Sequence, residues 1–111
     1  MNPNVRAQNL IGLMEELVDL LERENALLER PRARELGPVV EEKQALFKLY
    51  EEQIHAIAEE GSAFGAALEP DLRERLRATG ERFDDLARIN ERKLKVMTAS
   101  SQHIVDRIAD A

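Results

Sequence analysis

From Phe83 to the end of the chain one spacing recurs without a break. Phe83, Ala87, Asn90, Leu94, Met97, Ser101, Ile104 and Ile108 are separated by steps of four and three in strict alternation. That is the spacing of an apolar seam on a long helix packed along its length. Two seam positions are polar, Asn90 and Ser101. The last apolar members, Ile104, Val105 and Ile108, lie almost at the chain end. What this helix packs against, and whether its end packs against anything, decides how the chain is read.

Composition narrows the partners it can have. A chain of 111 residues suffices for one domain, and its 43% hydrophobic and 34% charged residues allow both a packed core and a highly charged surface. Ala, Leu, Glu, Arg and Lys dominate, and the β-branched and aromatic runs of strands are missing, which is the make-up of long helices. The net charge of −6 argues against nucleic acid, whose phosphates call for a basic face. The absence of cysteine excludes disulfides, thiolate catalysis and cysteine metal sites. No apolar run approaches the roughly 18 residues of a membrane span. Met1-Asn2-Pro3-Asn4 lacks the basic-then-apolar pattern of a secretion signal, so a soluble protein of the cytoplasm is expected.

Two more helices precede the seam. Asn2-Pro3 is a good start for the first, with Asn as cap and Pro in the first turn. Leu10, Leu13, Leu17, Leu20 and Leu27, with Met14, Val18, Leu21 and Leu28 beside them, make a wide apolar stripe interrupted at Glu24. Gly12 costs about 1 kcal/mol against Ala in a helix, and its smallness suits a close helix approach. Pro31 stops this helix. The second is expected to start between residues 32 and 37, distorted around Gly37-Pro38, with a seam of Leu36, Val40, Lys43, Phe47, Tyr50, Ile54 and Ile57. Lys43 is its polar intruder. Gly61 to Glu69 forms the connection, from which Phe64 and Leu68 dock back onto the bundle, and Glu69-Pro70-Asp71 starts the third helix. Thr79-Gly80 is a weak point in it.

The expected fold is therefore all-α: an antiparallel up-down-up three-helix bundle with a long C-terminal helix projecting beyond the other two. It forms a single domain over 1–111, with helices about 3–30, 33–60 and 70–110. Counting from the turns gives relative heights. With the first turn centred near residue 33, Glu24 lies nine residues before it and Lys43 ten after. With the second near residue 65, Lys43 lies 22 before and Asn90 25 after. The three seam breaks thus fall in one layer. Two readings are open: a hydrogen-bonded polar layer built on a Glu24–Lys43 ion pair with Asn90 satisfying leftover groups, or charged residues at the stripe edge that snorkel into solvent. The same count carries residues 100–111 past the other helices. An apolar stripe without an internal partner is a surface for a partner, for a second copy, or a frayed end.

Catalytic chemistry has little to stand on. Glu52-Gln53-Ile54-His55 has the Glu-x-x-His spacing of di-iron bundles but occurs once, and His103 has no matching Glu at position 100. His55 with Glu51 and Glu59 is at most a weak metal trio. No nucleophile–base motif or phosphate loop is present, and the carboxylate pairs Glu15-Glu16 and Glu59-Glu60 are solvated faces. No enzyme, cofactor or metal site is expected.

Three stretches resemble the FlgN-type flagellar export chaperones. They are Leu-x-x-Leu-Leu-Glu-Arg-Glu-x-x-Leu-Leu from Leu17 to Leu28, Glu-Glu-Lys-x-x-Leu from Glu41 to Leu46, and Leu-x-x-Ile-Asn-Glu from Leu86 to Glu91. The Glu, Lys and Asn within them are the three seam breaks. The chain departs from the family at Lys93, where a second Asn is frequent, and is somewhat short for it. The resemblance implies a cytoplasmic chaperone that holds hook–filament junction proteins by a C-terminal amphipathic helix and delivers them to the export apparatus. It places partner binding on Met97, Ser101, Ile104, Val105 and Ile108. The alternative is a non-enzymatic helical adaptor that forms a homodimer through the C-terminal helix.

Overall fold

The computed structural model describes residues 2–30 and 34–110, with side-chain environments through residue 95. The described residues are all-helical. Four helices follow in order: α1 (Pro3–Leu27), α2 (Leu36–Glu60), α3 (Ser62–Ala66) and α4 (Pro70–Asp110). Three differences from the sequence expectation stand out. The first helix ends at Leu27 rather than near 30, the second begins at Leu36, toward the late end of the expected 32–37 window and later than the round figure of 33, and the connection before α4 holds a short helix of its own.

Each boundary has a local cause. The Asn2 side chain accepts the Asn4 N–H at 2.8 Å and caps α1, with Pro3 in the first turn where no N–H is needed. At the other end the bonding tightens. Glu29 N–H reaches the Ala26 carbonyl at 3.3 Å and Arg30 N–H the Leu27 carbonyl at 2.8 Å, each three residues back instead of four. Proline at position 31 has no N–H to return to Leu27, so the helix closes in these tighter turns. Pro38 is accommodated because it is third in α2, where N–H groups have no intrahelical acceptor; Val39 N–H makes the first return, to Glu35 at 3.2 Å.

Gly61 ends α2 and caps α3 with φ 64° and ψ −150°, a region open in practice only to glycine. The single turn of α3 then points Phe64 inward, and Leu68 follows four residues later. Both are buried in a cluster with Ala7, Ile11 and Leu72, against which Ile57 and Leu76 pack. Two polar ties hold the segment in place. Asn4 Oδ1 accepts the Glu69 N–H at 3.1 Å. Arg73 donates to the carbonyls of Gly65 and Leu68 at 3.1 and 3.2 Å, meeting backbone acceptors that the end of α3 leaves free.

The most enclosed element is α1 and not the C-terminal helix whose seam is so regular. Eleven α1 residues are buried, Leu17 and Leu21 almost completely, whereas Val39 is the buried residue of α2. The reason is position: α1 is flanked by α2 on one side and α4 on the other. A second cluster of Leu13, Leu17, Val18, Leu21 and Phe83 fills the middle, and Leu46, Phe47, Tyr50, Leu86 and Ala87 pack against it. Full burial of one such leucine contributes about 1.5–3 kcal/mol. Across the top of this cluster the rings of Phe47, Tyr50 and Phe83 meet at centroid distances of 5.0 to 6.0 Å, joining α2 to α4.

Side-chain contacts tie the helices together. Arg6 meets Glu60 and Glu24 meets Lys43 between α1 and α2. Glu22 meets Arg82, Asn25 meets Asn90 and Glu29 meets Lys93 between α4 and α1 or the turn that follows it.

Gly12 does not mediate a close helix approach. It is exposed, and a Cβ added there has no atom within 4 Å. At Gly61 space is equally open, but the positive φ strains any L-residue. Two alanine substitutions with equal steric room are therefore expected to act in opposite directions. Gly12→Ala should stabilise by roughly 0.5–1 kcal/mol, and Gly61→Ala should destabilise by about 1–2 kcal/mol. Urea unfolding of the two variants checks both signs.

Candidate functional site

The structure brings Glu24, Lys43 and Asn90 together from three helices. The Glu24 side chain is fully buried and that of Lys43 is 12% exposed. Lys43 Nζ lies 3.1 Å from Glu24 Oε1 and 2.8 Å from Oε2, so the ammonium straddles the carboxylate. Only Oε1 is aligned to accept a hydrogen bond. Oε2, the nearer oxygen, is held by charge and has no hydrogen-bond donor. The same ammonium donates to Asn90 Oδ1 at 3.3 Å. Glu24 therefore does not snorkel. It is a buried carboxylate paired with the Lys43 ammonium, and removing that partner would leave a buried charge uncompensated at a cost of several kcal/mol.

The network runs further than the three seam breaks. Asn90 Nδ2 donates to Asn25 Oδ1 at 3.0 Å, and both residues are buried. Lys93 Nζ donates to the Asn25 backbone carbonyl at 3.1 Å and to Glu29 Oε1 at 2.9 Å. Lys93 thus supplies a second ammonium that ties α4 to the end of α1, at the position where the resemblance leads one to expect an amide. Hydrogen bonding to Lys93, reinforced by its charge, holds the Glu29 carboxyl below its ordinary range. Asn25 belongs to the layer and escapes a reading based on the leucine seam. A signal for it exists: Ile11, Val18 and Asn25 lie at steps of seven, so Asn25 interrupts a neighbouring apolar column as Glu24 interrupts that of Leu10 and Leu17.

Below this layer packing is aromatic. Burial first, and the nearby Asp84 carboxylate second, raise the Tyr50 hydroxyl above its usual value. Beside the layer an open groove of ≈ 480 Å³ runs between α2 and α4, with Leu21 of α1 in its lining. His55 contacts Glu59 at 3.5 Å with both side chains exposed, and among the described residues no trio of His, Asp or Glu is arranged to hold a metal ion. No helix among them is long and apolar enough to cross a membrane. Met97, Ser101, Ile104, Val105 and Ile108 lie outside the residues whose side chains are described.

Comparison of the chain with protein-family models, with curated proteins and with solved structures finds no match. The site has to be interpreted from its own chemistry. It contains no nucleophile beside a base. What the layer can do is position: each helix contributes a group that only the other helices can satisfy, so a slip of one helix leaves a buried donor or acceptor unmet at a cost of about 1–3 kcal/mol per group.

Two measurements test this geometry. Lys43→Met alone strands a buried carboxylate and should destabilise by roughly 3–5 kcal/mol, whereas adding Glu24→Leu should recover most of that loss. Purely additive effects in a four-way unfolding comparison would rule out the direct pair. Separately, Lys93→Ala should let the Glu29 carboxyl return upward toward its ordinary range, read by side-chain carbon shifts in an NMR titration.

Proposed function

We propose that this chain is a non-enzymatic helical chaperone of the flagellar export type, acting in the cytoplasm. It would hold the C-terminal amphipathic helix of a hook–filament junction protein and deliver it to the export apparatus. In this reading the helices form an up-down-up bundle whose last member outruns the other two, and the overhang captures the client. The observation that carries the proposal is the coincidence at the polar layer. Glu24, Lys43 and Asn90, which carry the resemblance to the FlgN-type family, are the residues whose side chains meet between α1, α2 and α4.

The layer's register supports the overhang. Lys43 stands at the height of Asn90, and α2 has seven residues left before its first, Leu36. At the same rise per residue α4 passes the start of α2 at about residue 97. In this reading Met97, Ser101, Ile104, Val105 and Ile108 belong to the overhang that takes the client. The 62 Å long dimension of the molecule is in keeping with this, since a 25-residue helix such as α1 spans only about 37 Å. Client capture would follow helix-in-groove physics, with apolar side chains covering the stripe and flanking charges setting orientation.

Removal of residues 100–111 tests the reading. The shortened chain should remain folded and soluble and lose its affinity for a junction-protein C-terminal peptide in a pull-down or titration. Unchanged affinity would show that the tail is not the binding site. A full-length dimer that becomes monomeric on truncation would favour the adaptor that self-associates through this helix.

A further inference from the structure

Along α1 and its end from 22 to 30, and along α4 from 86 to 95, every carboxylate already has a cation. Glu22 pairs with Arg82, Glu24 with Lys43, Glu29 with Lys93 at 2.9 Å and Glu91 with Lys95 at 3.1 Å. Four arginines are left over: Arg23, Arg30, Arg88 and Arg92 are exposed and have no hydrogen-bond or ion-pair partner among the described residues. Elsewhere on the same two helices the leftover charge has the other sign. Glu16, Asp19, Asp71 and Asp85 are exposed and equally unpartnered there. In a chain of net charge −6 these arginines are a local reversal.

The reversal has an apolar centre. Ala26 lies one turn after Glu22 and one before Glu29, and Ile89 lies seven residues after Arg82 and four before Lys93. Two ion pairs therefore bracket an apolar gap, in which Ala26 is exposed and Ile89 is 37% exposed. Residues one turn apart on a helix are surface neighbours. Arg23 and Arg30 are the neighbours of Ala26, and Arg92 is the neighbour of Ile89, with Arg88 one turn before Arg92. Arg88 and Arg92 repel each other at this spacing, and an anion beside them relieves the repulsion. Asp85, one turn before Ile89, closes the patch on its other side.

We propose that this face of α1 and α4 binds an acidic segment of a partner protein. An aliphatic side chain of that segment covers Ala26 and Ile89, and its carboxylates meet Arg30 and Arg92. Arginine suits the task because its planar fork takes a carboxylate in two parallel hydrogen bonds. A protein segment fits better than nucleic acid, since phosphates leave Ile89 uncovered and the acidic remainder of the chain repels a long polyanion. The face lies apart from residues 97–111 and shares no residue with the groove between α2 and α4.

Titration of the full chain with three synthetic peptides, followed by backbone NMR shifts, reads affinity and location together. One peptide carries glutamates around a central leucine, one the same glutamates around an alanine, and one lysines around the leucine. The glutamate–leucine peptide should bind tightest, with shifts centred on residues 22–30 and 86–95 and an affinity that falls as salt rises. Combining Arg30→Glu with Arg92→Glu, both exposed changes, should weaken it about tenfold. Lys48→Glu removes an exposed, unpartnered cation of α2 and should leave the affinity within about twofold. No binding, equal binding of either control peptide, an equal loss in Lys48→Glu, shifts confined elsewhere, or a short DNA duplex that binds the same residues as tightly would each overturn the proposal. Residues 97–111 are unchanged in every variant, so failure here is distinguishable from failure of the truncation experiment.

Discussion

The contact between Glu24 and Lys43 constrains the rest of the molecule. A carboxylate with no exposed surface has, among the described residues, Lys43 as its paired cation, and that cation comes from another helix. Desolvating both groups offsets much of their attraction, so the pair is a poor source of net stability. Its effect is on uniqueness. Sliding α2 by one turn along α1 would move the ammonium about 5.4 Å and leave the carboxylate unpaired. Asn90 and Asn25 extend the same restriction to α4, since each amide is satisfied by a group on another helix. Apolar clusters of Leu, Ile and Val tolerate such slips far better than a directional network does.

The division of labour along the bundle follows from this. At one end α3 and the start of α4 close over Ala7 and Ile11, with Arg73 and Asn4 tying down the backbone. In the middle Leu17, Leu21 and the Phe47–Tyr50–Phe83 rings provide the apolar core. At the far end the named links between α4 and its neighbours are polar: Asn90, and Lys93 to Asn25 and Glu29. α2 remains half-exposed along much of its apolar face, with Leu49 and Ile54 at 49% and 38% exposure. Among the described residues α1 is thus the enclosed helix of the bundle and α2 the partly open one.

Much of the polar layer was legible in the sequence because two simple quantities determine it. Helical rise is constant and the turns are short, so distance from a turn gives height. A polar residue on an apolar seam then stands out by itself, which is how Glu24, Lys43 and Asn90 align. Asn25 required tracking a second column on the same helix, and Lys93 likewise lies on a second column of α4, seven residues after Leu86. The short helix over Ser62–Ala66 is beyond periodicity because five residues make little more than one turn. The central place of α1 was not legible either. The C-terminal seam is the more regular pattern, but burial depends on how many faces of a helix are covered. The breadth of the α1 stripe, from Leu10 through Leu21, was the relevant sign.

The central claim is that Lys43 is a held, enclosed ammonium joining α1 and α4. Nitrogen-15 NMR of lysine side chains measures this most directly. A surface ammonium exchanges its protons too fast to be seen near neutral pH, whereas one hydrogen-bonded out of water is protected. The account predicts a slowly exchanging Lys43 resonance near pH 7, with through-space contacts to the Asn90 side-chain amide. A Lys43 ammonium that exchanges like those of the exposed lysines, with no contact to Asn90, would contradict it.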